Sequence, residues 1–254
     1  PPVAHNQRID VAANFDDGPT PVPPQLRPYD AVGRIQNAGR TRSGSGFLIG
    51  PCTVLTAYHV LFPPGEKASR KTEFTFALGH GGSREFDLVL KAKPIFWGNF
   101  SYLEDTPTED FAVLHVPSCP GRMFPPVALV AMSLDDIEKA GGRLRNAGYP
   151  MGHSMGRVWG DDDCTAGGAH PLAPQLFAIN CDVTPGMSGG PVLAQIEGKL
   201  LAVAIISSVV SDTGLDGAFS TVTGSATTDI QRYNMALPVA SFLARLAMMG
   251  LVGQ

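Results

Sequence analysis

The nine residues Thr184–Val192, TPGMSGGPV, set one serine among three glycines and between two prolines. Glycine is favoured where a backbone must take φ > 0 or let another group approach closely. Proline keeps such a segment out of helix and regular strand. Ser188 therefore sits either in a plain surface turn or in a tight loop that holds a hydroxyl beside a bound substrate. A serine hydroxyl is a weak nucleophile at neutral pH. It needs a base within hydrogen-bond reach, and that base needs a carboxylate to hold its tautomer. A turn needs neither, so the histidines and aspartates elsewhere in the chain separate the two readings.

Composition bounds the answer first. Of the 254 residues 44% are apolar and 17% charged, with 29 Gly and 22 Pro. That is a turn-rich globular chain leaning towards all-β. A net charge of −4 gives no reason to expect nucleic acid or an anionic membrane as partner. The longest apolar stretch, LLAVAII at Leu200–Ile206, is strand-sized, so no membrane span is expected. The four cysteines, Cys52, Cys119, Cys164 and Cys181, are by count either free buried thiols or two disulfides in one of three pairings. None lies in a CxxC pair or near a histidine at ligand spacing, so no metal site and no cofactor is expected. The opening PPVAHN lacks an initiator Met and an apolar signal region, which reads as a processed or trimmed form.

Residues 1–28 are proline-rich and lack periodic pattern, as an extended arm would. From Tyr29 short β runs follow one another: AVGRIQ, SGFLIG, TVLTAY, EFTFAL, FDLVLKA and FAVLHV, each bounded by turn residues. After a proline-rich break and SLDDIEKAGG, a short helical turn at most, a second series begins near Arg143. Its runs are RLRNAGY, GRVWGDD, LFAINCDV, GPVLAQI, KLLAVAIISSVV and YNMALPV. Two series of about six strands predict two antiparallel barrels or sandwiches. The first is expected over 29–125 and the second over 143–237. A C-terminal helix is expected over 238–249, with Val239, Phe242, Leu243, Leu246 and Met249 on one face and Gly250 as its stop.

His59, in LTAYHV, directly follows the β run Val54–Tyr58. Asp110, in EDFAVLHV, directly precedes the strand Phe111–Val116. Both lie in the first half and Ser188 in the second. Glu104, Asp105 and Glu109 rival Asp110 but do not directly precede the strand. His115, inside an apolar strand, reads as a packed or capping residue.

LTAYHV, EDFAVLHV and TPGMSGGPV, in that order, resemble the His, Asp and Ser motifs of the trypsin/chymotrypsin-like serine peptidases. SGSGFLIG and NAGYP resemble the bacterial branch that includes the V8-like glutamyl endopeptidases. The resemblance covers about 29–250. It implies two six-stranded antiparallel β-barrels with the active-site cleft between them, a Ser188 nucleophile, a His59 base and an orienting Asp110. It further implies an oxyanion hole from the N–H groups of Gly186 and Ser188. Substrates would be polypeptides, the enzyme most simply a monomer. Two departures stand out. Met187 replaces the acidic residue before the serine of trypsin-type enzymes, and the chain start lacks their activation signature, so activation would have to work otherwise.

Cys164 and Cys181 lie in two β runs joined by a long loop, a shape suited to a cross-strand disulfide; Cys52 and Cys119 would then pair within the first barrel. Disulfides imply an oxidising compartment, hence a secreted or periplasmic enzyme. For the substrate pocket, gapless counting puts Asp182 at its base, where it would attract Lys or Arg, although a solvated or strand-capping aspartate is the simpler reading. Thr184 lines that pocket or caps the turn, and Ser207, Ser208 and Val209 would pair their backbone with substrate. Ile206 stands where glutamyl-specific relatives carry a histidine, which argues against a Glu-specific pocket. Asp161–Asp163 reads as a solvated acidic turn before a Ca²⁺ site, and Ser211–Arg232 is longer than a hairpin needs. The rival function is a catalytically silent homologue acting as a binding module, and a self-cleaving processing enzyme is a third.

Overall fold

In the computed structural model the described residues are 18–23, 27–39, 41–63, 66–79, 86–101, 106–153, 156–170, 173–209 and 234–252. Most of the proline-rich arm and the whole of the Ser211–Arg232 segment lie outside them. The arm enters as β1 (Thr20–Pro21). Six strands follow: β2 (Val32–Asn37), β3 (Ser43–Gly50), β4 (Thr53–Thr56), β5 (Phe74–Leu78), β6 (Leu88–Trp97) and β7 (Ala112–His115). They close into an antiparallel barrel in the order β2-β3-β4-β7-β6-β5.

Beyond the proline-rich break come β8 (Arg143–Asn146), the short β9 (Trp159–Gly160), β10 (Cys164–His170) and β11 (Ala173–Ile179). The chain then runs through β12 (Pro191–Ile196), β13 (Lys199–Val209) and β14 (Asn234–Pro238). All but β9 close a second antiparallel barrel, in the order β10-β11-β14-β13-β12-β8. The fold is thus the double six-stranded barrel that the sequence predicts. The run GRVWGDD departs from expectation. Only Trp159–Gly160 is strand; it pairs with Thr20–Pro21 of the arm, and outside the barrel ladder Trp159 bridges Gly148 just past β8.

Period-two burial explains why these segments are strands. Along β6 exposed Val89, Lys91 and Lys93 alternate with half-buried Leu88 and Leu90 and buried Ala92 and Pro94. Phe47, Leu55, Phe76, Phe111 and Leu114, in or beside the strands of the first barrel, are each fully buried. Burial of such a side chain is worth about 1.5–3 kcal/mol. That apolar cluster continues through Leu193, Ala202, Ile205 and Leu237 of the second barrel, so an apolar interface joins the two halves. A separate cluster around Leu144, Ile179, Val192, Val203 and Ile206 forms the core of the second barrel.

Helices are few. SLDDIEKAGG forms more than a turn: α2 (Leu134–Lys139) is opened by a full capping box between Ser133 and Asp136, which satisfies two orphan N–H groups. The C-terminal helix is interrupted. Val239–Ser241 is a 3₁₀ turn, Phe242 breaks the run at φ −135°, and the α-helix proper covers only Leu243–Met248. Val239, Phe242 and Leu246 are buried as expected, whereas Met249 is exposed. Gly250 takes φ +66° and Leu251 N–H donates to Leu246 O at 3.0 Å, closing the helix in a Schellman manner.

Two disulfides staple the barrels. Cys52–Cys119 joins the β3–β4 turn to the chain leaving β7, and Cys164–Cys181 joins the start of β10 to the chain just past β11. Their sequence separations are 67 and 17 residues. In the chain-entropy account, replacing Cys52 and Cys119 by Ser should cost about 4 kcal/mol and the other pair about 3 kcal/mol. Urea midpoints of the two double variants check this, and a larger loss from the shorter loop would contradict it.

Candidate active site

β4 ends at Thr56, two residues earlier than the sequence suggested, because the chain turns at extended Ala57 into the one-turn helix α1 (Tyr58–Leu61). Three ring contacts hold that turn: Tyr58 with Phe62 at 5.2 Å, Tyr58 with Phe100 at 5.7 Å, and Phe62 with Trp97 at 5.4 Å. The turn aims both the main-chain N–H and the ring of His59 at one carboxylate. His59 N–H donates to Asp110 Oδ1 at 3.0 Å, and Nδ1 lies 3.0 and 2.9 Å from Oδ1 and Oδ2. Tyr58, beside it, has its phenol pKa raised, first by burial and then by the Asp110 charge. The phenol is therefore neutral at physiological pH.

Asp110 is delivered by a local backbone device. Pro107–Glu109 make a 3₁₀ turn, and Asp110 follows at φ −78°, ψ 55°. Phe111 N–H donates to Glu109 O at 2.9 Å across it. These are the marks of an inverse γ-turn, which tips the side chain out of line with β7. The carboxylate is 1% exposed. A buried charge is tolerated only when donors surround it. The third donor comes from the other barrel: Ser207 Oγ–H reaches Asp110 Oδ2 at 2.5 Å. It does so because β13 slips register against β14 between Ile206 and Ser208, leaving Ser207 at an irregularity that turns its side chain out of the ladder.

The loop carrying Ser188 is shaped by positive φ at Gly186 (+97°) and Gly189 (+82°). It is tied to the first barrel through Ser45, which is fully buried in β3. Ser45 N–H donates to Ser188 O at 2.8 Å, and Ser45 Oγ–H donates to Gly186 O at 2.7 Å. The same hydroxyl accepts from Tyr149 N–H at 2.8 Å. Thr56 Oγ–H holds Ser45 O in turn, at 2.7 Å. A side chain at position 189 would strike Thr56 Oγ1, Ser45 O and Ala57 N, so only glycine lets the loop lie this close. Among the described residues the N–H groups of Gly186 and Ser188 donate to no main-chain carbonyl.

Asp182 is half-buried, and its main chain is pinned: its N–H donates to Asp161 Oδ2 at 3.1 Å and its O accepts from Asn146 Nδ2 at 2.8 Å. The Thr184 hydroxyl is buried with no hydrogen-bond partner. Ser208 and Val209 continue β13 opposite Met235 and Asn234. Ile206 is fully buried in the second core. In the acidic turn, Asp161 Oδ1 accepts from Asp163 N–H at 2.9 Å and Asp163 pairs with Arg143 at 3.0 Å. Of the carboxylates rivalling Asp110, Glu109 is engaged elsewhere, by Arg245 and Asn99 N–H. His115 is exposed, not packed, because it falls on the outward phase at the end of β7.

Ser45, the bond from Ser207 to Asp110 and the Glu109–Arg245 pair escape a sequence reading. The sole cue for Ser45 is a small polar residue between the glycines of SGSG, where a strand interior would otherwise be apolar.

The family model of the trypsin-like peptidase domain matches residues 44–203, well over half the chain. Among solved structures, "Glu endopeptidase in complex with MPD" is similar at a TM-score of 0.65 and 18% identity, covering 93% of this chain and 97% of that one. The "Rv3671c protease, inactive form" is similar at a TM-score of 0.53 and 21% identity, covering 91% and 98%. At such identities these two likenesses speak for the fold. No curated protein sequence matches. The chain belongs to the trypsin-like peptidase family and is a serine endopeptidase, a hydrolase.

Ser45→Ala leaves Gly186 O and Tyr149 N–H buried without their partner and should cost about 1–3 kcal/mol. Denaturant unfolding measures it, and an unchanged midpoint would contradict the assignment of Ser45 as the tie between β3 and the Ser188 loop.

Proposed function

We propose that this peptidase cleaves polypeptides through Ser188, His59 and Asp110. The observation that carries the reading is the Asp110 carboxylate, buried and receiving the His59 ring, the His59 N–H and the Ser207 hydroxyl together. With Nδ1–H given to Asp110, the imidazole is held in the tautomer whose Nε2 carries a lone pair. Nε2 takes the Ser188 hydroxyl proton as Oγ attacks the scissile carbonyl. The carbonyl electron pair moves to oxygen, and the resulting oxyanion accepts from the N–H groups of Gly186 and Ser188. As the intermediate collapses, the C–N bond breaks and the imidazolium returns the proton to the leaving amine. The acyl-enzyme is then hydrolysed by a water that Nε2 deprotonates in the same way. No metal or cofactor enters the scheme.

The unit acting in this way is taken as 29–250, working as a single chain in an oxidising, secreted or periplasmic compartment. Two disulfides support that compartment, and no described helix is long and apolar enough to cross a membrane. For the residue before the cut we propose Lys or Arg, on the strength of Asp182, a carboxylate six residues before Ser188 whose main chain is rigidly held. Buried Ile206 supplies no cation for a glutamate side chain.

A fluorophosphonate should label Ser188 and no other serine. Asp110→Asn should reduce kcat by about 10⁴. A folded, inhibitor-free sample in which Ser188 stays unlabelled favours the silent binding module and sinks the enzyme mechanism. Fragments from a peptide library should end in Lys or Arg, with Asp182→Asn weakening that preference. Cleavage after other residues removes the pocket role of Asp182.

A further inference from the structure

The short C-terminal helix carries one cation whose contacts lead back to the site. Arg245 Nη1 donates to both oxygens of Glu109, at 2.8 and 2.7 Å. Its guanidinium lies 4.9 Å from the centroid of Phe111 and 5.7 Å from that of Phe96. Glu109 and Phe111 are the residues on either side of Asp110. Both are held from further directions as well. Glu109 Oε2 accepts from Asn99 N–H at 2.8 Å, and Phe111 stacks on Phe242 at 4.8 Å. Gly98 N–H donates to Phe111 O at 2.9 Å, and Gly98 lies so close to Glu109 that a Cβ there would strike its carbonyl.

An inverse γ-turn is a single-residue bend with one short-range bond, which by itself leaves its central side chain free to swing. Here its two flanks are pinned by a segment that follows the second barrel, while the carboxylate in the middle meets His59 and Ser207. Surface ion pairs contribute little by themselves. This one is half-buried, its side chains 34% and 26% exposed, and the guanidinium also lies over the Phe111 ring. Burial works to raise the Glu109 pKa, but the Arg245 hydrogen bond, the Asn99 N–H and the Arg245 charge outweigh it and hold the carboxyl below its ordinary range. Glu109 is thus ionised near neutral pH, opposite the Arg245 guanidinium.

We propose that Arg245 is a positioning residue for catalysis: by gripping Glu109 and Phe111 it fixes the direction of the Asp110 carboxylate towards His59. The inference rests on the reading of Asp110 as the orienting carboxylate. It makes the C-terminal helix part of the machinery of the first barrel.

The test uses the full chain, with kcat and KM on the best-cleaved library peptide normalised to fluorophosphonate-titrated sites. Arg245→Met keeps an apolar stem but loses the charge and the plane, and Glu109→Gln loses the charge from the other side. Each should lower kcat per titrated site by roughly ten- to a hundredfold through misplacement of the carboxylate, leaving KM nearly unchanged. Arg245→Lys keeps an ammonium for Glu109 but no plane over Phe111, and should fall between. In proton NMR the low-field resonance of the His59 Nδ1–H should shift or broaden in Arg245→Met. Ser133→Ala, which removes the distant cap of α2, should lower thermal stability without either effect. If Arg245→Met, or Arg245→Lys and Glu109→Gln where Met prevents folding, keeps wild-type kcat and an unmoved resonance, the clamp is merely structural and the proposal falls. Asp110→Asn separates the two levels: wild-type kcat there overturns the Asp110 reading itself, whereas its collapse beside an intact Arg245 series overturns the clamp alone.

Discussion

A carboxylate buried to 1% exposure is the constraint around which this molecule is arranged. Removing a charge from water costs far more than a fold of this size can spare, unless donors replace the lost hydration. Asp110 finds them in two different halves of the chain. His59 supplies its ring and main chain from the turn after β4, and Ser207 supplies a hydroxyl from β13 of the other barrel. Both halves share in satisfying the charge, so the interface between them is specified chemically as well as by apolar packing. Hydrophobic contact through Leu193, Ile205 and Leu237 supplies adhesion but little direction. The buried charge fixes how the two halves meet.

Close approach is the second requirement, and glycine meets it. The Ser188 loop lies against β3 near enough that Ser45 bonds both Ser188 and Gly186, and a methyl group at position 189 would already collide with three first-barrel atoms. Gly44 and Ser45 of SGSG therefore meet Ser188 and Gly189 of PGMSGG along one seam. What reads along the sequence as two unrelated flexible stretches is, in space, one rigid contact. Flexibility of glycine in the unfolded chain is exchanged for a conformation that no other residue allows.

Much of this was legible in the residues. Period-two runs between turn residues mark the strands of both barrels, and the three motifs carry His59, Asp110 and Ser188 in order. The errors are physical. GRVWGDD has strand composition, but its Trp159 and Gly160 pair with the arm at Thr20–Pro21, a partner that only the fold brings near. TVLTAY suggests a strand two residues longer than β4 because Ala57 and Tyr58 tolerate extended and helical backbone equally, and the ring contacts of Tyr58 decide. Helical periodicity over 238–249 is real, yet Phe242 buries its ring on Phe111 at the expense of a continuous helix. Ser207 has no local signal at all. A β irregularity turns its hydroxyl towards Asp110, and irregularities arise from pairing, not from the residue that they displace.

The chain thus distributes one task over elements that are far apart in sequence but rigid in space. Strands and disulfides supply stiffness, whereas the groups around Asp110 sit at strand ends, on an inverse γ-turn and at a bulge, where regular pairing has stopped. The division has a physical cause. Inside a ladder the backbone is committed to its neighbours and side-chain directions alternate without choice. Only where the ladder breaks can a residue aim elsewhere, and only beside an intact ladder is that aim held still. His59, Asp110, Ser188 and Ser207 each occupy such a break, within a turn or two residues of a barrel strand. The same logic explains the C-terminal helix. Fewer than two turns long, it is too short to be stable by propensity and exists because Val239, Phe242 and Leu246 are buried. Those anchors leave Arg245 facing the γ-turn of the first barrel, so this helix braces a segment at which the first barrel's ladder has stopped.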